Sequence, residues 1–106
     1  MSRRLLTDFE IMILLAIIRI GDEAYGAPIA REIETTTGRT VQLPSIYAAL
    51  DRLEKQGLVE SRLGEATAQR GGRAKKYFAL TPIGLGSVRD TRKALTALWA
   101  RLPQVT

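Results

Sequence analysis

The stretch Ser45-Ile46-Tyr47-Ala48-Ala49-Leu50-Asp51-Arg52-Leu53-Glu54-Lys55-Gln56-Gly57-Leu58-Val59 decides the fold. Ile46, Leu50 and Leu53 recur at four and then three residues, the spacing of one buried helix face. Gly57 ends that helix, and a β-type run, Leu58 to Leu63, begins at once. A second such run, Lys75 to Leu80, puts Phe78 and Leu80 on one face and Tyr77 and Ala79 on the other. A long hairpin loop with Gly71-Gly72 at its tip joins the two runs. A helix followed directly by a hairpin places the hairpin beside the helix, as a wing.

Upstream, Thr7-Asp8-Phe9-Glu10 reads as a capping box that starts a helix. Phe9 to Ile20 is apolar on nearly every side, which suits a core or a dimer, and Gly21-Asp22-Glu23 ends it. Tyr25-Gly26-Ala27-Pro28 opens a second helix, since proline is tolerated in a first turn. Its apolar face is Ile29, Ala30 and Ile33, and Gly38 closes it. Val41 to Pro44 is a short extended link, and the third helix is predicted over about Ser45 to Gln56. Downstream, Thr81-Pro82 supplies the N-cap and first residue of a last helix. It is predicted to reach about Leu102, where Pro103 stops it. Gly84 and Gly86 weaken its first turn by up to about 1 kcal/mol each. The expected fold is mainly α with a small β wing: a winged helix-turn-helix over residues 1–80 with an additional C-terminal dimerisation helix over 81–106.

Charge is unevenly placed. Residues 1–60 carry seven Lys/Arg and nine Asp/Glu, a net of −2, and residues 61–106 carry nine and two, a net of +7. A localised positive excess is the footprint of a nucleic-acid binder, or else a solvated surface. Between residues 62 and 76 stand Arg62, Arg70, Arg73, Lys75 and Lys76 against one acid, Glu65. Such one-sign density in one hairpin favours phosphate or minor-groove contact.

In this architecture the third helix enters the major groove. Its groove-facing candidates are Ser45, Tyr47, Ala48 and Arg52. Pro44 and Ser45 stand at the helix N-terminus, where free N–H groups and the dipole favour a phosphate. Ala48 lets the backbone come close to the duplex. Two readings of Tyr47 stand side by side: a phosphate donor, or a half-buried core tyrosine. Arg52 reaches a phosphate or guanine edge, or pairs with Asp51 or Glu54. Gly72 joins Arg70, Arg73, Lys75 and Lys76 as a wing contact, because its backbone approaches DNA without a clash.

Several function classes fall away. With no Cys and no His, disulfides, Cys/His zinc sites, thiol nucleophiles and imidazole acid–base chemistry are excluded. The carboxylate pairs Asp22/Glu23, Glu32/Glu34 and Asp51/Glu54 have no nucleophile or metal partner in view, so no enzyme, cofactor or metal is expected. RNA binding through stacked aromatics on a sheet finds no support. The longest apolar stretch, Ile11–Ile18, is far short of the roughly 20 residues of a membrane span. The first residues share only their charge with a signal peptide, and a cytoplasmic protein is expected.

Four stretches together resemble the PadR family of bacterial transcription regulators. They are Leu6-Thr7-Asp8-Phe9-Glu10 through Ile20, Ala24-Tyr25-Gly26 with Ile29, Ser45 to Val59, and Gly72-Arg73-Ala74-Lys75-Lys76-Tyr77-Phe78-Ala79-Leu80-Thr81. Ala48 and Pro28 depart from the family pattern, which bears on base contacts but not on the fold. The resemblance implies a homodimeric repressor of the small subclass, with one long C-terminal helix and no added C-terminal domain. The expected partners are double-stranded DNA, at a palindromic operator, and a second copy of the chain. The rival reading is a winged protein–protein module that has lost DNA binding.

The expected dimer seam is Val88, Leu95, Leu98, Trp99 and Leu102, a stripe for which the domain's own core has little room. Trp99 is either a packing residue of that seam or the wall of a pocket for a small planar aromatic effector. The resemblance points to the second role, since some small family members hold planar drugs between paired tryptophans.

Overall fold

The computed structural model describes residues 5–64 and 75–103. Four helices and one hairpin run in the order α1 (Asp8–Ile20), α2 (Gly26–Thr37), α3 (Leu43–Lys55), β1 (Val59–Leu63), β2 (Lys76–Leu80) and α4 (Pro82–Trp99), with a 3-10 turn at Gly21–Glu23. This is the winged helix-turn-helix expected from the sequence.

The helix ends follow local chemistry. Thr7 and Glu10 form the capping box: the Glu10 amide donates to Thr7 Oγ1 at 3.2 Å, and the Thr7 amide donates to Glu10 Oε1 at 2.8 Å. Gly38 closes α2 in the left-handed region at φ 79°, where a side chain would be strained. α3 starts two residues before its predicted start, with Pro44 in its first turn and no side-chain cap from Gln42. Thr81 caps α4 by accepting from the Gly84 amide at 3.0 Å.

One core joins α1, α2, α3 and the root of the wing. Ile13, Leu14, Ile29, Ile46, Leu50 and Leu53 are fully buried, and each such side chain stabilises by about 1.5–3 kcal/mol. Phe78 brings β2 into the same core, and its amide donates to the Ala24 carbonyl at 2.8 Å. The strands pair antiparallel from Val59↔Leu80 to Leu63↔Lys76.

The root of α4 is fixed by a close approach. A Cβ on Gly84 would fall on the carbonyl oxygen of Leu58, so only glycine lets α4 sit against the turn before β1. The Thr81 hydroxyl donates to the Gly57 carbonyl at 2.6 Å, and the Thr81 amide donates to the Leu58 carbonyl at 3.0 Å. Buried Thr91 then accepts from the Leu6 amide at 3.1 Å, tying the chain's first described turn to α4. The helix-weakening Gly84 thus has a packing reason that periodicity does not reveal.

The far end of α4 departs from expectation. The helix stops at Trp99 rather than near Leu102. Ala100 is extended and Arg101 has φ 64°, so Leu102 of the predicted stripe lies beyond the helix. Proline disfavours helical backbone at the residue before it, so Pro103 acts on Leu102 as well as on itself. From residue 95 onward every described residue is exposed. Among the described residues, no helix is long and apolar enough to cross a membrane.

Candidate nucleic-acid interface

α3 divides cleanly into two faces. Ile46, Ala49, Leu50 and Leu53 are buried, and Ser45, Tyr47, Ala48 and Arg52 are exposed. The four groove-facing candidates are therefore together on the outer surface of one helix. Tyr47 is 48% exposed, between the two readings open to it. Its ring lies over Gly26 at the start of α2, where a Cβ would overlap its Cζ and Oη. Gly26 thus lets the ring lie along α2 at the surface.

The partners proposed for Arg52 are engaged elsewhere. Asp51 pairs with Lys55 at 3.1 Å, one helical turn on. Glu54 accepts from the Ser61 hydroxyl at 2.6 Å through Oε2, while its Oε1 is 3.3 Å from Lys76 Nζ. The Ser61 hydrogen bond, and then Lys76, hold the Glu54 carboxyl below the usual glutamate value. Among the described residues Arg52 has no ion pair and remains available to an external anion.

The wing cations behave in two ways. Arg70, Gly72 and Arg73 lie outside the described residues. Arg62, Lys75 and Lys76 are at the wing's base, and each has a partner within the chain. The Arg62 guanidinium sits 4.8 Å from the centroid of the Tyr77 ring and donates to the Asp22 carbonyl at 3.0 Å. Lys75 Nζ lies 3.7 Å from the Tyr25 ring centroid. Tyr25 and Tyr77 meet edge to face, centroids 5.7 Å apart and planes at 86°. Lys76 faces Glu54 and lies 5.7 Å from the Phe78 centroid.

This stack of cations and aromatics is what sequence reasoning missed. Lys75 and Tyr25 are fifty positions apart, and no local period links them. Only the hairpin register, Arg62↔Tyr77, offers a signal, because it places arginine and ring side by side across the strands.

The seam residues are open in the single chain. Leu95 is 53% exposed, Leu98 74%, Trp99 66% and Leu102 47%, with Val88 half-buried against the core. On α1, Leu15 and Ile18 are also exposed, so the first helix presents apolar surface of its own.

Comparison with known proteins agrees with this geometry. Residues 14–90 match the family described as Transcriptional regulator PadR-like family. A transcriptional regulator from Clostridium thermocellum superposes with TM-score 0.71 and 27% identity, over 84% of this chain and 83% of that one. RosR of H. salinarum gives TM-score 0.71 and 28% identity, over 96% and 84%. A PadR-like transcriptional regulator from Bacillus cereus gives 0.69 and 25%, over 86% and 84%. An uncharacterized protein of Lysinibacillus sphaericus is 27% identical over 85 residues, 78% of this chain and 72% of its own length.

Proposed function

This chain belongs to the PadR-like family of transcriptional regulators, and we propose that it is a cytoplasmic, homodimeric repressor that binds a palindromic operator in duplex DNA. Residues 1–80 form the reading head, and residues 81–106 the dimerisation arm. The observation that carries this reading is the outer face of α3. Ser45, Tyr47, Ala48 and Arg52 are exposed together while the opposite face is fully buried. A helix held rigidly by its inner face, with small and donor side chains outward, suits the major groove. The wing cations Arg70, Arg73, Lys75 and Lys76, with the Gly72 backbone, add positive potential along the flanking phosphates.

The exposed Leu95, Leu98 and Trp99 of α4, with Val88 at the root and Leu102 just beyond the helix end, support a seam with a second copy. A two-fold axis there sets two α3 helices about one DNA turn, roughly 34 Å, apart. Trp99 packs in that seam, or it forms with its symmetry mate a slot for a flat aromatic effector.

One observation favours the rival reading of a protein-docking module: Arg62, Lys75 and Lys76 are all engaged within the chain. A gel shift on the chain's own upstream region, with mixed-sequence duplex as competitor, separates the two. Salt-dependent retention that prefers the upstream region supports the repressor. No retention of either duplex at low salt supports the docking module.

A further inference from the structure

Isolated two-stranded hairpins are marginally stable, so something beyond strand pairing must hold this wing. At its root the anchor is Phe78, buried and bonded to Ala24. Two further residue pairs extend toward the basic loop, Arg62↔Tyr77 and Leu63↔Lys76. No apolar anchor holds them, since Leu63 is 73% exposed. They are held instead by charged and aromatic groups on both faces.

On one face stand Ser61 and Lys76, one from each strand, and a single carboxylate, Glu54 of α3, engages both. On the opposite face stand Arg62 and Tyr77. Tyr77 meets Tyr25 edge to face, and Arg62 reaches Asp22 in the 3-10 turn. Lys75 closes the stack over Tyr25. Gly64 contributes by absence: a Cβ there would overlap Cε2 of Tyr77. The wing's base is thus clamped to α3 on one side and to the start of α2 on the other, and is closed by the Gly64 amide donating to the Lys75 carbonyl at 2.7 Å.

We propose that Glu54 and Tyr25 are positioning residues, which clamp the wing's base from opposite faces, to α3 and to the start of α2, and so set the spacing at which α3 and the wing engage one duplex. The proposal rests on the DNA-binding reading above. It also reverses the ordinary expectation for Glu54. An acid within a DNA-binding surface repels phosphate, so its neutralisation should strengthen binding. As a positioning residue, its neutralisation weakens binding instead.

The test uses the full chain and the variants Glu54→Gln, Tyr25→Leu and, as charge control, Glu60→Gln. Glu60 is an exposed acid on β1 with no ion pair among the described residues. Affinity for a mixed-sequence duplex is measured across salt concentrations by anisotropy. Backbone 15N relaxation of Leu63, Gly64, Lys75 and Lys76 reports wing order without DNA. Glu54→Gln and Tyr25→Leu are expected to lose about fivefold in affinity and about one unit of salt slope, one phosphate contact's share. Glu60→Gln is expected to gain affinity. In the first two variants the order parameters at the wing base fall from about 0.85 toward 0.6, with Phe78 unchanged. Unchanged order parameters, or a Glu54→Gln variant that gains affinity as Glu60→Gln does, overturn the proposal. If the parent chain binds no duplex, the DNA-binding reading falls, and relaxation alone decides the clamp. Should Tyr25→Leu melt below the working temperature, Glu54→Gln decides, because its half-buried surface site lies outside the apolar core.

Discussion

The ring of Tyr47 on α3 occupies the space that a side chain at Gly26 on α2 would need. The two helices of the reading head are thereby matched at the surface, with room at Gly26 for the half-exposed tyrosine ring. The obstructing atoms are the far end of a flexible side chain, so Gly26→Ala is expected to swing the ring away without unfolding the domain. Operator affinity should fall, and the melting temperature should hold or rise slightly.

Tyr47→Phe probes the hydroxyl alone. Loss of one hydrogen bond to a phosphate is worth about 1.5–3 kcal/mol, roughly ten- to hundredfold in operator affinity. Melting should stay nearly unchanged, because the ring's packing is retained. A large melting shift with intact binding would make Tyr47 a core residue.

Gly84 and Gly86 are two residues apart on α4 and are expected to respond with opposite signs. Alanine at Gly84 meets the Leu58 backbone, which cannot rotate away, and should cost about 1–3 kcal/mol of stability. Alanine at Gly86 meets nothing within 4 Å and gains helix propensity of up to about 1 kcal/mol. Chemical denaturation of the two variants checks both signs.

Replacing Arg70, Arg73 and Lys75 by alanine should weaken binding on all sequences alike. The slope of log K against log salt should flatten by about one unit per lost phosphate contact. An unchanged slope would remove the wing from the interface.

Leu95→Asp with Leu98→Asp should give monomers in sedimentation, because both side chains lie in the exposed stripe of α4. A double variant that remains dimeric and still binds its operator places the seam elsewhere. Trp99 is tested by its fluorescence, as the chain's only tryptophan. Saturable quenching by planar dyes, lost in a dimeric Trp99→Ala, marks an effector pocket, whereas absent quenching with dissociation of Trp99→Ala marks packing alone.

Stability should fall in acid through two glutamates. Glu32 is held below the ordinary value of 4.5 by hydrogen bonds from Arg19 and then Thr36, and Glu54 by Ser61 and then Lys76. The unfolded chain takes up these protons first as pH falls. The contribution is therefore complete above about pH 4.5 and is lost as pH drops through the lower folded values. Glu32→Gln and Glu54→Gln should each shallow the acid limb of the melting profile below about pH 4.5.

The order of elements, the capping box at Thr7 and Glu10, the turn at Gly38, the inward face of α3 and the wing strands were all legible in the residues. Each is set by interactions within a few positions: a capping side chain, a left-handed glycine, a period of 3.6 or of 2. The same periods separated Ser45, Tyr47, Ala48 and Arg52 from the buried face. The tertiary structure decided what depends on residues tens of positions apart. It placed Lys75 on Tyr25, Arg62 on Tyr77, and Glu54 between Ser61 and Lys76, so that cations which read as free in the sequence have partners within the chain. It also ended α4 at Trp99, and it turned Gly84 from a weak helix residue into the one that admits the Leu58 carbonyl. Hydrogen-bond reach and side-chain period are local properties that a sequence carries on its face. Close approach and charge pairing depend on where the packed core brings distant backbone together.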